Sequence, residues 1–164
     1  MTCTIISNRE ELKIKCKNEK EQPYKQIKMK LKSVIRNMIL DGCCEFYVNS
    51  ERGIPLFAAE ELCSMKKSNP DLRVNIVIPY ENQSVNWPEE LRDRYFSVHE
   101  MADSVKTAEK HYSEDSYNIA DEIMLNDSDL LLVFGSPSDN LYAVEYAEKN
   151  NVRVGFIELP AFAE

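Results

Sequence analysis

The sequence predicts an α/β fold: a three-layer sandwich in which helices cover both faces of a mostly parallel sheet. Short runs of β-branched and other apolar residues alternate along the chain with longer segments whose apolar residues recur every three or four positions. Runs of the first kind are typical of strands buried on both faces, and the alternation implies right-handed crossovers between parallel strands. No repeat, linker or low-complexity segment interrupts the 164 residues, so we expect a single domain spanning 1–164.

Six segments have the composition of strands. Residues 130–134 are five apolar residues in succession, and residues 74–78 are rich in β-branched side chains. Residues 104–108 match the strand pattern less closely. The predicted strands are 2–6, 46–48, 74–78, 104–108, 130–134 and 152–157.

Five segments have the spacing of helices. The longest carries an apolar stripe from Ile27 to Ile39, begins after Pro23 and ends before Gly42, which is the expected punctuation of a helix. The predicted helices are 24–40, 55–67, 88–99, 116–125 and 140–149. His99 closes the third of these, where we expect a structural or surface role.

The charge of the chain is negative and unevenly distributed. The net charge is −8 and the isoelectric point is about 4.9. Since non-specific affinity for nucleic acid comes from Lys and Arg, we expect no nucleic-acid partner. Residues 13–32 nevertheless contain eight lysines against two glutamates. This basic segment is either an anion-facing patch or a solvated loop followed by the exposed face of a helix.

The cysteines and the apolar runs indicate the cellular compartment. There are five cysteines and no C-x-x-C pair, which predicts neither a disulfide framework nor a zinc site. No apolar run approaches the roughly 18–20 residues of a membrane span, and no signal segment is recognised. We therefore expect a cytoplasmic protein with no membrane partner and no cofactor.

Several short motifs occur in an order and spacing typical of one protein family. They are Thr2-Cys3 with Asn8-Arg9, Ala58-Ala59-Glu60, the run from Ile78 to Gln83 followed by Trp87-Pro88, and Val144-Glu145-Tyr146-Ala147. On these motifs, which span nearly the whole chain, the sequence resembles the YpsA-like branch of the SLOG superfamily. That superfamily joins the DNA-processing DprA/Smf proteins and the LOG-type nucleotide enzymes. The resemblance implies a Rossmann-like fold with a pocket for a nucleotide-type ligand.

The glycine-rich loops of that family are altered in this chain. The family has G-G-A-x-G-x-D after the second strand, whereas residues 49–55 here read NSERGIP and keep only Gly53. The family has G-G-T after the late strand, whereas residues 138–140 read SDN. Glycines let a backbone approach a phosphate, and Glu51 and Asp139 add negative charge where the anion would lie. We therefore expect weak phosphate binding.

In folds of this class, ligands bind outside the carboxyl ends of the strands, near the point where strand order reverses. For two candidates other roles stay open: Glu60 can hydrogen-bond a loop, and Trp87 can pack beside Pro88. No catalytic or metal-ligating residue is assigned. The candidate ligand-binding residues are Asn8, Arg9, Ser50, Arg52, Gly53, Glu60, Gln83, Trp87 and Asn140.

Three functions fit the sequence. The first is a non-catalytic module that senses a nucleotide-derived small molecule, and the second is a protein-interaction or scaffold domain that has lost ligand binding. The third is a nucleoside-monophosphate phosphoribohydrolase like the LOG enzymes, whose loop ending in Thr-x-x-Glu is not intact here. We expect the first, with a homo-oligomer as an open option.

Overall fold

A computed structural model describes residues 1–8 and 22–159. Within these residues, six strands form one sheet in the order β4-β3-β2-β1-β5-β6, and every neighbouring pair is parallel. The strands are β1 Thr2–Ser7, β2 Glu45–Val48, β3 Arg73–Tyr80, β4 Ser104–Glu109, β5 Leu130–Phe134 and β6 Arg153–Ile157. The predicted α/β class is confirmed, and the sheet is parallel throughout.

Five α-helices cover the two faces of this sheet. They are α1 Gln22–Leu40, α2 Ile54–Met65, α3 Glu89–Met101, α4 Ser116–Asn126 and α5 Tyr142–Lys149. Helices α1, α2 and α3 pack on one face against side chains such as Ile5 and Leu132. Helices α4 and α5 pack on the other face against Ile6 and Leu131. Neighbouring strand residues therefore enter opposite cores, as the period of two in a strand requires.

The chain departs from the predicted helix at 140–149. Residues Pro137–Asp139 form a short 3-10 turn, and α5 begins at Tyr142. Asn140 ends the 3-10 turn with φ of 50°, in the left-handed region that Asn tolerates better than most residues. This conformation cannot continue a right-handed helix, which is why the predicted start was two residues early.

Strand order reverses beside β1. The crossover from β1 leads through α1 to β2 on one side, and the chain later returns through α4 to β5 on the other. The helices that follow β1 and β5 along the chain, α1 and α5, lie on opposite faces of the sheet, which is the arrangement that places a crevice at its carboxyl edge. None of the helices in the described part of the chain has the length and apolar character needed to cross a bilayer.

Candidate functional site

A small cavity lies at the reversal of strand order. Its volume is about 30 Å³. It is lined by Ile6, Ser7, Asn49, Pro55, Asp121, Leu141, Tyr142 and Ala143. One water needs about 10–15 Å³ of such volume, so the space suits one or two waters and is far too small for a nucleotide. The loops around it decide what else can bind.

The loop between β2 and α2 turns sharply through two residues with positive φ. Ser50 has φ of 52° and Gly53 has φ of 91°, a value that glycine adopts without strain. The Leu56 N–H then donates to the Glu51 carbonyl at 3.0 Å, and Pro55 lies in the first turn of α2, where its missing N–H costs nothing. This local geometry directs the Glu51 side chain inward, where it is 6% exposed.

The Glu51 carboxylate is held by three neutral donors. Its Oε1 atom accepts the Arg52 backbone N–H at 2.9 Å, and its Oε2 atom accepts from Gln83 Nε2 at 3.5 Å and from the Tyr117 hydroxyl. Burial, followed by the negative charge of Glu51, raises the pKa of Tyr117 well above its usual range, so this hydroxyl stays a donor. A backbone N–H that could face a bound anion is thus taken by a carboxylate of the chain itself.

Hydrogen bonds extend from this carboxylate into the core. Gln83 Nε2 also lies 3.5 Å from the Asn49 carbonyl oxygen, and Gln83 Oε1 accepts the Tyr95 hydroxyl at 3.1 Å. Burial raises the pKa of Tyr95 beyond its usual range. Since buried polar groups without partners are costly, this connected network stabilises one arrangement of the loop.

Ser50 and His99 form a second pair beneath the loop. The Ser50 Oγ atom lies 3.0 Å from His99 Nε2, and the His99 ring packs against Tyr95 at a tilt of 49° with centroids 4.0 Å apart. Burial lowers the pKa of His99 to about 4, so the ring is neutral at pH 7. A serine beside a neutral histidine is the geometry of a nucleophile and its base, but Ser50 is 0% exposed and no substrate reaches it in this arrangement. The pair joins the loop after β2 to α3, and a structural or surface role for His99 stays a prediction.

The loop between β5 and α5 also carries its own carboxylate. Asp139 Oδ2 accepts the Ser136 backbone N–H at 2.9 Å, and the Ser136 hydroxyl accepts the Ser138 N–H at 3.3 Å, which together form a capping box. A Cβ added to Gly135 would lie 2.7 Å from Asp139 Oδ2. The space that a glycine leaves for an approaching phosphate is filled here by Asp139.

The structure brings some of the predicted site residues together. Gln83 hydrogen-bonds Glu51, and Ser50 and Gly53 lie on the same loop as Glu51. The Arg52 guanidinium carbon lies 5.9 Å from the centre of the Trp87 ring. Asn8, at the end of β1, is half-buried. Arg9 lies outside the described residues.

Glu60 and Asn140 lie apart from that group. Glu60 forms a two-pronged ion pair with Arg94 of α3, at 2.6 and 3.1 Å. This pair joins α2 to α3, so the contact that Glu60 makes is with a helix, not with a loop. Asn140 is exposed on the far side of the crevice, beyond the capping box. The site residues of the sequence therefore fall into a connected cluster and two outlying positions.

Sequence reasoning missed the partners of Glu51. Tyr117 follows Glu51 by 66 positions, and Tyr95, on α3, follows Gln83 by 12, so neither contact has the spacing of a local pattern. One signal was available: an acidic residue on a short turn between a buried strand and a buried helix needs donors from elsewhere in the chain if its side chain is buried.

A wider cavity of about 700 Å³ opens at the opposite, amino edge of the sheet. It is lined by Met1, Leu125, Asn126, Ser128, Asp129, Asn150, Asn151, Val152 and Arg153. Because ligands of parallel α/β sheets bind at the carboxyl edge, this surface is not the candidate site.

Comparison with known proteins places the chain in a family. The family model named YpsA, described as the YspA SLOG family, matches residues 8–158. The chain belongs to the YpsA family of SLOG proteins. A YpsA-family relative, the UPF0398 protein of Halalkalibacterium halodurans, is 30% identical over 131 residues, which cover 75% of this chain and 68% of the relative. The UPF0398 protein of Bacillus cereus strain B4264 is 29% identical over 128 residues, which cover 75% of this chain and 70% of the relative. The UPF0398 protein of Brevibacillus brevis is 26% identical over 159 residues, which cover 90% of this chain and 85% of the relative.

One solved structure has a similar fold. It is DNA processing protein A from Helicobacter pylori, which was studied for its single-stranded DNA binding mode. The TM-score is 0.61 at 14% identity, over 95% of this chain and 64% of that one, so the YpsA-family chain spans less than two thirds of its length. At this identity the similarity concerns the fold, and it agrees with the predicted Rossmann-like architecture.

The exclusion of nucleic acid as a partner is wrong. It was drawn from the net charge of −8, yet a protein of similar fold binds single-stranded DNA. The physical error lies in averaging charge over the whole chain, because phosphate contacts depend on local clusters of cations. Helix α1 alone carries four lysines and one arginine with no acidic residue.

Proposed function

We propose that this chain is a non-catalytic SLOG-type module of the cytoplasm that binds a nucleotide-derived small molecule mainly through its nucleoside part. The observation that carries the proposal is the pair of internal carboxylates at the carboxyl edge. Glu51 occupies the Arg52 N–H and Asp139 occupies the Ser136 N–H. A phosphate would have to displace these groups and overcome their repulsion, which costs of order a kilocalorie or more per close charge.

Other features of the edge suit a nucleoside. The proposed contacts are those of the sequence: Asn8, Arg9, Ser50, Arg52, Gly53, Glu60, Gln83, Trp87 and Asn140. Arg52 is exposed above the half-buried Trp87 ring, where a base can stack on either group. Ser50 and Gln83 lie beneath, buried, and would contact a ligand only if the loop moves.

The absence of turnover is part of the proposal. Burial lowers the pKa of His99 to about 4, which makes its ring a weak base at pH 7, and the Glu60 carboxylate is held in an ion pair by Arg94. Incubation with AMP, followed by chromatography, tests this directly. Release of adenine would establish a phosphoribohydrolase and overturn the proposal.

Calorimetric titration tests the ligand class. We expect adenosine to bind at least as tightly as AMP or ADP-ribose, with dissociation constants near the millimolar range for the phosphate-bearing ligands. Binding of AMP tenfold tighter than adenosine would contradict the proposal. Labelled oligo(dT) belongs in the same series because the solved neighbour binds single-stranded DNA. Affinity tighter than micromolar, with a steep salt dependence, would show a nucleic-acid ligand instead.

The second candidate is an interaction domain that has lost ligand binding. It is favoured by the cavity at the reversal of strand order, whose volume of about 30 Å³ leaves no room for a nucleoside. If adenosine and all phosphate-bearing ligands fail to bind in the titration, this candidate replaces the first.

A further inference from the structure

Helix α1 presents a basic face in an acidic protein. It contains four lysines and one arginine and no acidic residue, whereas the whole chain has a net charge of −8. Lys25, Lys30, Lys32 and Arg36 are exposed. The part of the basic segment 13–32 that the structure describes, from residue 22 onward, therefore lies on helix α1.

The cations of this face differ in what they contact. Lys28 lies over the Phe57 ring at 4.5 Å, and Lys30 Nζ donates to the Glu158 carbonyl oxygen at 3.0 Å. Lys32 lies 4.0 Å from Glu61, the outer limit of an ion pair. Arg36 has no acidic side chain within that distance among residues 1–8 and 22–159. Two cations on the side of α1 that faces α2 are thus weakly compensated.

A groove lies beside these two cations, between the carboxyl-terminal halves of α1 and α2. We call it the α1–α2 groove. Its volume is about 270 Å³. It is lined by Lys32, Arg36, Ile39, Leu40, Glu61, Ser64, Met65, Ser68 and Asn69. Leu40 is 77% exposed and shares this lining with the half-buried Ile39 and Met65. The groove therefore combines apolar side chains with a rim of positive charge.

We infer that the α1–α2 groove binds an acidic amphipathic segment of a partner protein. Apolar side chains of that segment pack against Ile39, Leu40 and Met65, and its carboxylates pair with Lys32 and Arg36. Charge complementarity carries this choice of occupant, because Glu61 is the single acid in the lining and already faces Lys32. Helix-in-groove recognition uses this combination of apolar anchors and flanking charge.

A nucleic acid fits the same groove less well. Single-stranded nucleic acids bind through aromatic side chains on which bases stack, in addition to cations. The nine side chains that line the groove include none that is aromatic. The nearby rings of Tyr24 and Phe57 are 2% and 4% exposed and so offer no stacking surface. This site is independent of the carboxyl-edge site and does not rest on the function proposed for it.

Selection from a displayed library of random peptides, about sixteen residues or four helical turns long, tests the inference on the full chain. We expect enriched peptides to place Asp or Glu beside large apolar residues at helical spacing. Arg36→Glu and Leu40→Glu should each weaken the enriched peptides by at least about tenfold. Lys25→Glu is the matched control: it makes the same charge change on the same helix, outside the groove, and should change affinity by less than about twofold.

Four outcomes would overturn the inference. The first is that no peptide is enriched above the level seen with the Arg36→Glu variant, and the second is that the enriched peptides lack acidic residues. The third is that Arg36→Glu and Lys25→Glu weaken peptide binding equally. The fourth is that oligo(dT) displaces the peptides and needs Arg36 to do so. The last would show a site for phosphate backbones. All three substituted side chains are exposed, so thermal unfolding should confirm intact folding of each variant.

Discussion

Asp139 Oδ2 lies 2.7 Å from the position that a Cβ on Gly135 would occupy, and it accepts the Ser136 N–H. Glu51 repeats this arrangement after β2, where its Oε1 atom accepts the Arg52 N–H. The loops after β2 and β5, both at the carboxyl edge of the sheet, thus each hold a side-chain carboxylate of the chain itself. The weak phosphate binding that we expect of the site follows from these two carboxylates, which occupy N–H donors that a bound phosphate would use.

Gly135→Ala should destabilise the fold by about 1 kcal/mol. The added methyl group drives the Asp139 side chain away, and the cost is the lost capping bond rather than a rigid clash. Asp139→Ala should cost about the same, and the double variant little more than either, because both changes remove one interaction. Urea unfolding measures this. Gly155→Ala is the control: its Cβ meets Leu132 at an ordinary 3.6 Å. Full additivity of the two costs would refute the account.

Glu51→Gln should strengthen binding of AMP and leave adenosine unchanged. The substitution removes a buried negative charge and keeps one oxygen, which can accept the Arg52 N–H, while the new NH2 group can donate to the Tyr117 hydroxyl oxygen. We expect a gain of at least ~1 kcal/mol, about fivefold in affinity, by calorimetry. The exposed Glu81→Gln changes net charge equally and serves as control. An equal gain in both variants would show a general charge effect.

Stability should fall as the pH is lowered from about 6.5 toward 4. Burial lowers the pKa of His99 from 6.5 to about 4, so in this window the unfolded chain binds a proton that the folded chain does not. Stability contributed by neutral His99 is therefore present above pH 6.5 and lost on acidification. Asp103 also has a lowered pKa, through the Val74 N–H and Lys66, but its loss falls below pH 4. Thermal unfolding of His99→Gln should show a flatter profile; an unchanged slope would exclude His99 as its source.

The ion pair between Glu60 and Arg94 should show a coupling of about 1 kcal/mol in a double-mutant cycle. Its two-pronged geometry and half-buried setting favour a value at the upper end for exposed pairs. Arg94 also lies 5.6 Å from the Phe57 ring, so Arg94→Ala alone should cost more than Glu60→Ala. Equal single costs with no coupling would mean that the pair contributes nothing.

The sequence predicted the layers because their signals are local. Residues 130–134 form β5 as expected, since five successive apolar residues can only be buried. The helix predicted at 24–40 is observed at Gln22–Leu40, where its apolar stripe and the glycine after its end fix its limits. Edge strand β4 was the least marked pattern, and it is largely exposed.

The site was less accessible to sequence reasoning because its contacts join distant residues. Ser50 and His99 are 49 positions apart, and no sequence pattern around either residue predicts the burial of its side chain. Glu51 was recognised as unfavourable for an anion, but its three donors were not. The left-handed φ of Asn140 was hidden for another reason: Asn is common both in helices' flanks and in turns, and only the capping box decides between them.

NMR titration of the backbone amide of Arg52 and that of Ser136 with inorganic phosphate tests the central claim most directly. If Glu51 and Asp139 already occupy these donors, neither amide signal should shift appreciably at phosphate concentrations up to about 0.1 mM, because the affinity expected of this site is millimolar or weaker. Both should begin to shift in the Glu51→Ala, Asp139→Ala double variant, in which no side-chain oxygen of residues 51 and 139 occupies the two donors. Saturable shifts of both signals in the unsubstituted protein at micromolar phosphate would contradict the account.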